Sequence, residues 1–180
     1  GPLSHRKPCC GETTGESGNR PNGVGVVVRH NYLEGGGRTA AMESVTVTRE
    51  IAASPEAIEA AMDDWAGFVR AAGFDDVDVQ GETIRVSNAV GPAEIELELE
   101  VVADEDAALA YEQREGIFEE MWTGYSTRAR EDGDGTVVEA VTTFEMGVPV
   151  VGGVLDSTVI SRQRRRELED QLEWLASSVA

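Results

Sequence analysis

The sequence from Glu43 to Ala180, called the body below, contains no cysteine, histidine or lysine. Both cysteines, both histidines and the one lysine of the chain lie in residues 1–42, called the leader. Without cysteine the body has neither disulfides nor thiolate metal ligands. Without histidine it lacks the side chain that most often transfers protons near neutral pH. Any chemistry in the body must therefore come from carboxylates, tyrosines, arginines or hydroxyl groups.

Positive charge is scarce as well. Of the chain's 15 basic and 34 acidic residues, 5 and 3 lie in the leader, which leaves 10 arginines, 31 acids and a formal charge of −21 in the body. Carboxylates at this density repel one another unless cations screen them. The composition favours a halophile-type proteome with a salt-rich cytoplasm. The alternative, an acidic protein made for a basic partner, explains the charge but not the missing lysines.

The same absences limit partners and location. An acidic surface repels phosphate, so we expect no nucleic-acid partner. No apolar run approaches about 20 residues, so we expect no membrane span. A body without cysteine fits a reducing compartment, and we predict a cytoplasmic protein that is a monomer or weak homodimer. We predict no cofactor and no metal, because Cys9 and Cys10 with His5 and His30 match no zinc-binding spacing.

The leader differs from the body in composition. It is rich in Gly, with Gly35, Gly36 and Gly37 just before the boundary at Met42. A stretch with so few apolar residues cannot form a core of its own. We predict that residues 1–42 are a disordered leader, either the remnant of an expression tag or translated upstream sequence. Residues 43–180 then form the folded domain.

Periodicity and turn residues predict the elements of the body. Ser54-Pro55-Glu56 predicts a helix start, and Gly73 predicts the end of a second short helix. Asp134-Gly135 predicts a hairpin turn. The predicted strands are Ser44–Ile51, Val77–Gln80, Glu82–Asn88, Ala93–Val102, Leu109–Arg114, Phe118–Arg130 and Thr136–Met146, and the predicted helices are 54–63, Trp65–Ala72 and Val154–Val179.

The segment Ala93–Val102 alternates most regularly. Four glutamates occupy one face, and Ile95, Leu97, Leu99 and Val101 occupy the other. We interpret the glutamates as the solvated outer face of a sheet, and not as a metal or acid–base site. A series of hairpins followed by one long helix predicts an α+β domain. About seven antiparallel strands would curve round the C-terminal helix, with two short helices after strand 1.

Two stretches carry a resemblance to a known family. VTVTREIAASPEAIEAAMDDWAGF near the start of the body and GDGTVVEAVTTFEMGVPVVGGVLD before the last helix resemble the START/Bet-v-1-like helix-grip superfamily (SRPBCC). Within it, the chain resembles the polyketide cyclase/dehydrase and coenzyme-Q-binding group. The resemblance implies a cavity between sheet and helix. That superfamily has no universal catalytic motif, so no catalytic residue is assigned.

The resemblance makes binding or transport of an apolar or amphipathic small molecule the favoured function. A lipid, a quinone or a polyketide-like compound would fit such a cavity. The alternatives are a cyclase/dehydrase-type enzyme using tyrosine and carboxylate groups, and a protein-interaction module with a filled core. The residues expected to line the cavity are Trp65, Phe68, Ile84, Val86, Leu97, Leu99, Tyr111, Met121, Tyr125, Phe144, Met146, Leu155 and Val159.

A cluster of arginines begins the last helix. Arg162, Arg164, Arg165 and Arg166 hold four of the ten positive charges of the body. One interpretation is that Arg162, Arg165 or Arg166 points into the cavity and binds an anionic ligand. The other is that the cluster forms salt bridges with Glu167 and neighbouring acids. The sequence leaves both interpretations open.

Overall fold

Eight strands and three helices occur in the part of the chain that the computed structural model describes, namely residues 25–30, 42–147 and 157–180. In chain order they are β1 (Gly25–His30), β2 (Met42–Ile51), α1 (Pro55–Met62), α2 (Trp65–Arg70), β3 (Asp76–Gln80), β4 (Thr83–Val90), β5 (Ala93–Val102), β6 (Leu109–Glu115), β7 (Phe118–Ala129), β8 (Thr136–Met146) and α3 (Ser157–Ser178).

All eight strands form one antiparallel sheet in the order β1-β2-β8-β7-β6-β5-β4-β3. Seven of them come from the body, and each matches a predicted strand. The sheet and α3 together make the helix grip, so the predicted α+β fold is confirmed. Gaps in the β5–β6 and β7–β8 registers, at Glu98/Leu99 and at Phe118/Glu120, mark bulges where the strands bend.

The eighth strand, β1, comes from the leader. It pairs antiparallel with β2, so that Gly25 lies opposite Thr48. The prediction of a disordered leader therefore does not hold for residues 25–30, where three consecutive valines suit an extended strand. For the rest of residues 1–41 it stays a prediction. Those residues lie outside the described chain.

Local sequence signals explain the helix starts and one tight turn. The Ser54 hydroxyl accepts a hydrogen bond from the Ala57 amide at 3.2 Å, and Pro55 begins α1. Asp64 caps α2 in the same way through the Gly67 amide. In the turn before β8, Gly135 has φ +132°, and a Cβ there would lie 2.7 Å from the Ile51 carbonyl oxygen.

The inner face of the sheet and α3 share one core. Val45 and Val47 of β2, Val138 and Ala140 of β8 and Leu99 of β5 are almost completely buried. α3 packs against β2 and β8, and α1 and α2 cover one end of it. The predicted helix 154–179 corresponds to α3, although residues 154–156 lie outside the described chain.

Candidate functional site

The inner face of α3 carries polar as well as apolar side chains. Its buried positions follow helical spacing along the whole element. They are Ile160, Arg164, Glu167, Leu168, Gln171, Leu172 and Leu175. Three of the seven are polar, and each finds its partners inside the grip. We call these three residues, with Thr123, Thr142, Tyr111 and Tyr125 on the sheet, the polar seam.

Arg164 and Glu167 form a buried ion pair at the centre of the polar seam. Arg164 Nη1 donates to Glu167 Oε2, and each side chain is only 6% exposed. Gln163 Nε2 donates to the other carboxylate oxygen at 3.4 Å. Removing two charges from water costs several kcal/mol per ion, which only close pairing and further hydrogen bonds offset. The pair is therefore stable as a unit. If one member is lost, the charge of the other remains buried and unpaired, which destabilises the fold.

Two threonines on neighbouring strands hold the other end of the guanidinium. Arg164 Nη2 donates to Thr123 Oγ1 at 2.9 Å and to Thr142 Oγ1 at 3.1 Å. The two hydroxyl oxygens lie 2.8 Å apart, and Thr142 donates to the Trp122 carbonyl at 3.2 Å. β7 and β8 place the threonines opposite each other, because Thr123 pairs with Thr142 in the register. The sheet therefore fixes the position of the helix arginine.

A second hydrogen-bond chain crosses the core through two tyrosines. Gln171 Nε2 donates to the Phe68 carbonyl at 3.2 Å, which turns its Oε1 towards Tyr125. The Tyr125 hydroxyl donates to that oxygen at 2.6 Å. The Tyr111 and Tyr125 hydroxyl oxygens lie 2.8 Å apart, so Tyr111 must donate to Tyr125. Each proton in this chain therefore has a defined acceptor.

Burial shifts the pKa values of the ionisable groups in the polar seam. It raises the pKa of Tyr125 well above 10, and the neighbouring Tyr111 adds to the effect. Burial also raises the pKa of the Glu167 carboxyl, while Arg164 offsets part of that shift. For Arg164, burial lowers the pKa, but the attraction of Glu167 and the two tyrosines outweighs it, so the pKa is raised. The guanidinium therefore remains charged.

A small cleft opens from the polar seam between α3 and the β4–β5 side of the sheet. Its volume is about 30 Å³. Its apolar walls are Phe74, Ile95, Leu97, Ile117, Phe118 and Ile160, and its polar groups are Asn88, Gln163, Arg164 and Glu167. Arg164 is 5% exposed, and its Nε is buried without a hydrogen-bond partner among the described residues. The cleft is thus lined by apolar walls and by a buried arginine whose Nε has no partner among the described residues.

The predicted cavity residues fall into four groups. Trp65 and Met146 are partly buried, Leu155 lies outside the described residues, and Val159 is exposed. The other nine are buried in the core: Phe68, Ile84, Val86, Leu97, Leu99, Tyr111, Met121, Tyr125 and Phe144. Of the thirteen, Leu97 is the one that lines the cleft described above. Ligand contact by the buried residues stays a prediction.

The placement of Val159 on the inner face was wrong. It is 37% exposed, and the next residue, Ile160, is 2% exposed. The inner face of α3 is therefore offset by one residue from the predicted apolar stripe at this end. The prediction counted apolar residues alone, and at this end the buried face continues through Arg164, which lies four residues after Ile160.

The arginine cluster divides between the surface and the core. Arg162 and Arg166 are exposed, and Arg165 is half-buried. The buried member is Arg164, which was not among the predicted anion contacts. Its partner is Glu167, as the salt-bridge interpretation expects. The sequence signal for the burial of Arg164 was its spacing, because Ile160, Arg164 and Leu168 are four residues apart and share one helix face.

The outer face of β5 is acidic, as the alternation predicts. Glu94 and Glu96 are exposed, Glu98 accepts from Arg85 at 3.0 Å, and Glu100 pairs with Arg114. A wider groove of about 520 Å³ lies on this side of the sheet. Its polar lining includes Asp76, Asp78, Glu96, Glu98 and Glu115. Among the described residues no group of acids is arranged to hold a metal ion.

Comparison with known proteins agrees with this architecture. No family model and no curated protein matches the sequence. Solved structures do match, and they define the helix-grip fold of START and Bet-v-1-like proteins. A START superfamily protein from Mycobacterium smegmatis is 16% identical with a TM-score of 0.58, over 76% of this chain and 96% of that one.

Two further structures have the same fold. The Zhui aromatase/cyclase from a Streptomyces species is 17% identical with a TM-score of 0.57, over 77% of this chain and 91% of that one. A protein from Thermus thermophilus is 21% identical with a TM-score of 0.59, over 76% of this chain and 96% of that one.

Across the described residues, no helix is both long and apolar enough to cross a membrane.

Proposed function

We propose that this protein binds an apolar or amphipathic small molecule between the sheet and α3, without a covalent bond. A lipid, a quinone or a polyketide-like compound belongs to this class. The observation that carries the proposal is the cleft, which is lined by apolar side chains and by Arg164, a buried residue whose Nε has no partner among the described residues. Small-molecule sites commonly combine apolar walls with a few directed polar groups. Two similarly folded proteins, one named for the START superfamily and one an aromatase/cyclase, support the ligand class.

The cleft must widen to take such a molecule. Its volume of about 30 Å³ is close to the share of one water molecule in the liquid, whereas small-molecule sites span about 300–1,000 Å³. Ile117, Phe118 and Ile160 are among the apolar side chains that line the cleft. Ile117 is only partly buried, whereas Phe118 and Ile160 are buried in the core. We therefore propose that ligand entry begins at the β6–β7 turn.

Nile red, a neutral apolar dye, tests this proposal. We expect one binding site on the wild-type protein and loss of binding in Ile117→Trp and Ile160→Trp, because the indole would fill the cleft. The matched control is Val159→Trp, which adds the same side chain one residue away on the exposed face of α3. Thermal unfolding shows which variants remain folded.

Ile117→Trp keeps the experiment decisive if Ile160→Trp fails to fold. Overpacking a buried position such as Ile160 typically costs about 1–3 kcal/mol, whereas a partly buried position tolerates more. A wild-type protein that binds no dye contradicts ligand binding and favours an interaction module with a filled core. Equal binding by folded Ile117→Trp and wild type places the site elsewhere.

We infer acid–base catalysis on the bound molecule as a second candidate. Glu167 favours it, because this carboxyl group lines the cleft and burial raises its pKa. Such a carboxylate could take a proton from an acidic C–H group of the ligand. In D₂O, the wild-type protein should then exchange that hydrogen for deuterium, and Glu167→Gln should still bind Nile red but not catalyse exchange. Equal exchange by both proteins would rule out Glu167 as the base.

A further inference from the structure

Arg164 is one of the residues that line the cleft, and one nitrogen of its guanidinium, Nε, has no hydrogen-bond partner among the described residues. Nη1 donates to Glu167, and Nη2 donates to Thr123 and Thr142. Nε is buried and has no partner among the described residues. A buried N–H group without an acceptor is unfavourable, because it has lost its hydrogen bonds to water. A ligand that brings an acceptor to this nitrogen would recover that cost.

The charges of the residues that line the cleft determine which kind of hydrogen-bond acceptor the ligand can bring. Arg164 and Glu167 are the two ionisable residues that line the cleft, and their charges cancel. Asp170, the acid that also acts on Glu167, lies on the exposed side of α3 and adds negative charge. An anionic ligand group would place a second negative charge beside Glu167. Arg164 would then be the one cation lining the cleft that could neutralise either charge. Burial of an uncompensated charge is strongly unfavourable.

We propose that the ligand carries a neutral oxygen acceptor, such as a ketone, quinone or ester carbonyl, and that Arg164 Nε donates to it. This inference rests on the proposed function, since it names the ligand class of the same cleft. The apolar walls, among them Ile95, Leu97 and Phe118, then hold the hydrocarbon part of the molecule. Arg164 thereby becomes the residue that determines specificity, and Glu167 excludes carboxylates.

Competition against Nile red tests the proposal with three molecules of equal chain length: a 2-alkanone, the corresponding alkane and the corresponding fatty acid. A hydrogen bond to a charged donor corresponds to a preference of about tenfold or more. We expect the ketone to compete best and the fatty acid to compete poorly at neutral pH. In Arg164→Met/Glu167→Met, which removes the whole ion pair, the ketone should lose its advantage over the alkane. Arg162→Met, an exposed position on the same helix, should keep it.

The outcomes separate this inference from the proposed function. If the wild-type protein binds no Nile red, ligand binding itself is overturned, and the inference with it. If the dye binds but ketone and alkane compete equally, the inference alone is overturned. A fatty acid that competes better than the ketone contradicts the charge argument. A ketone preference that survives in the folded double variant shows that a group other than Arg164 binds the oxygen.

Discussion

The two sides of the interior between the sheet and α3 are stabilised in different ways. The inner face of β4 and β5, which we call the apolar wing, consists of Ile84, Val86, Ile95, Leu97 and Leu99, and all five are buried. The polar seam around Arg164 is buried to the same degree. The wing is stabilised by removal of apolar surface from water, at roughly 25 cal/mol per Å². The seam depends on each polar group keeping its partner.

This difference predicts how each side responds to substitution. In the wing, the cost of a substitution follows the volume that is lost. In the seam, the cost follows the polar group left without a partner, so removing both partners is milder than removing one. The cleft lies where the two sides meet, which gives it apolar walls and a polar end.

The largest effect is expected for Glu167→Leu, because it leaves the Arg164 charge buried and unpaired. Loss of one member of a buried ion pair typically costs about 3–5 kcal/mol. Arg164→Met/Glu167→Leu should recover most of the loss, since it removes both charges. Urea denaturation monitored by tryptophan fluorescence measures both. A double variant as unstable as the single one would show that packing, and not charge, explains the loss.

The next effect is expected in the apolar wing. Leu99 is 1% exposed, and Leu99→Ala should lower the free energy of unfolding by about 2–5 kcal/mol through lost burial and the cavity left behind. Urea denaturation checks this value. The loss should not change with pH between 6 and 8 (roughly the range in which no residue type of the body ordinarily titrates). A cost below about 1 kcal/mol would mean that the wing repacks readily.

Tyr125→Phe should have a smaller effect. The variant keeps the ring against Phe68, whose centroid lies 4.7 Å away, but it deprives Gln171 Oε1 of its donor and Tyr111 of its acceptor. Loss of a buried partner costs about 1–3 kcal/mol. Urea denaturation of the variant and the wild type at neutral pH measures this difference.

The pH dependence of Tyr125 has a defined sign. Its pKa is higher in the folded protein than in the unfolded chain, so the folded state favours the protonated phenol. This contribution is fully present below about pH 10 and is lost as the pH rises from about 10 towards the folded pKa. The wild type should therefore lose stability above about pH 10 more steeply than Tyr125→Phe. Parallel curves for the two proteins would contradict the shift.

The smallest effect is expected on the outer face of β5. Glu96→Ala should change the free energy of unfolding by no more than about 0.5 kcal/mol. At low salt the change should be stabilising, because it relieves repulsion among neighbouring carboxylates. In molar KCl, where screening acts over about 3 Å, the gain should vanish. A gain that persists in KCl would have a cause other than charge, and would weaken the proposal of a salt-adapted protein.

Sequence patterns predicted the apolar wing much better than the polar seam. Alternation identifies a strand such as β5 directly, because one face is apolar and the other is carboxylate. The seam breaks that rule, since Thr123, Thr142 and Arg164 are polar residues on inner faces. Their partners are far apart in the sequence, and the register of β7 with β8 brings the threonines together. Polar residues at buried positions are therefore recognised by their partners, which one strand or helix alone does not reveal.

Two smaller errors have a different origin. Val159 was assigned to the inner face because apolar residues alone defined the stripe, which left Arg164 out of the helix phase. The strand at residues 25–30 was assigned to a disordered leader because average composition outweighed the local run of valines. In both cases a local signal was present, namely four-residue spacing in α3 and β-branched residues in β1.

Amide chemical-shift mapping by NMR tests the central claim most directly, namely that the ligand site lies where the wing meets the seam. The experiment titrates a neutral 2-alkanone into the ¹⁵N-labelled full chain. We expect saturable shifts concentrated at Leu97, Phe118, Ile160 and Arg164, including the Arg164 Nε–H signal, with little change at Glu94 and Glu96 on the outer face. Shifts concentrated on the outer acidic face, or no saturable shift at all, would contradict the account.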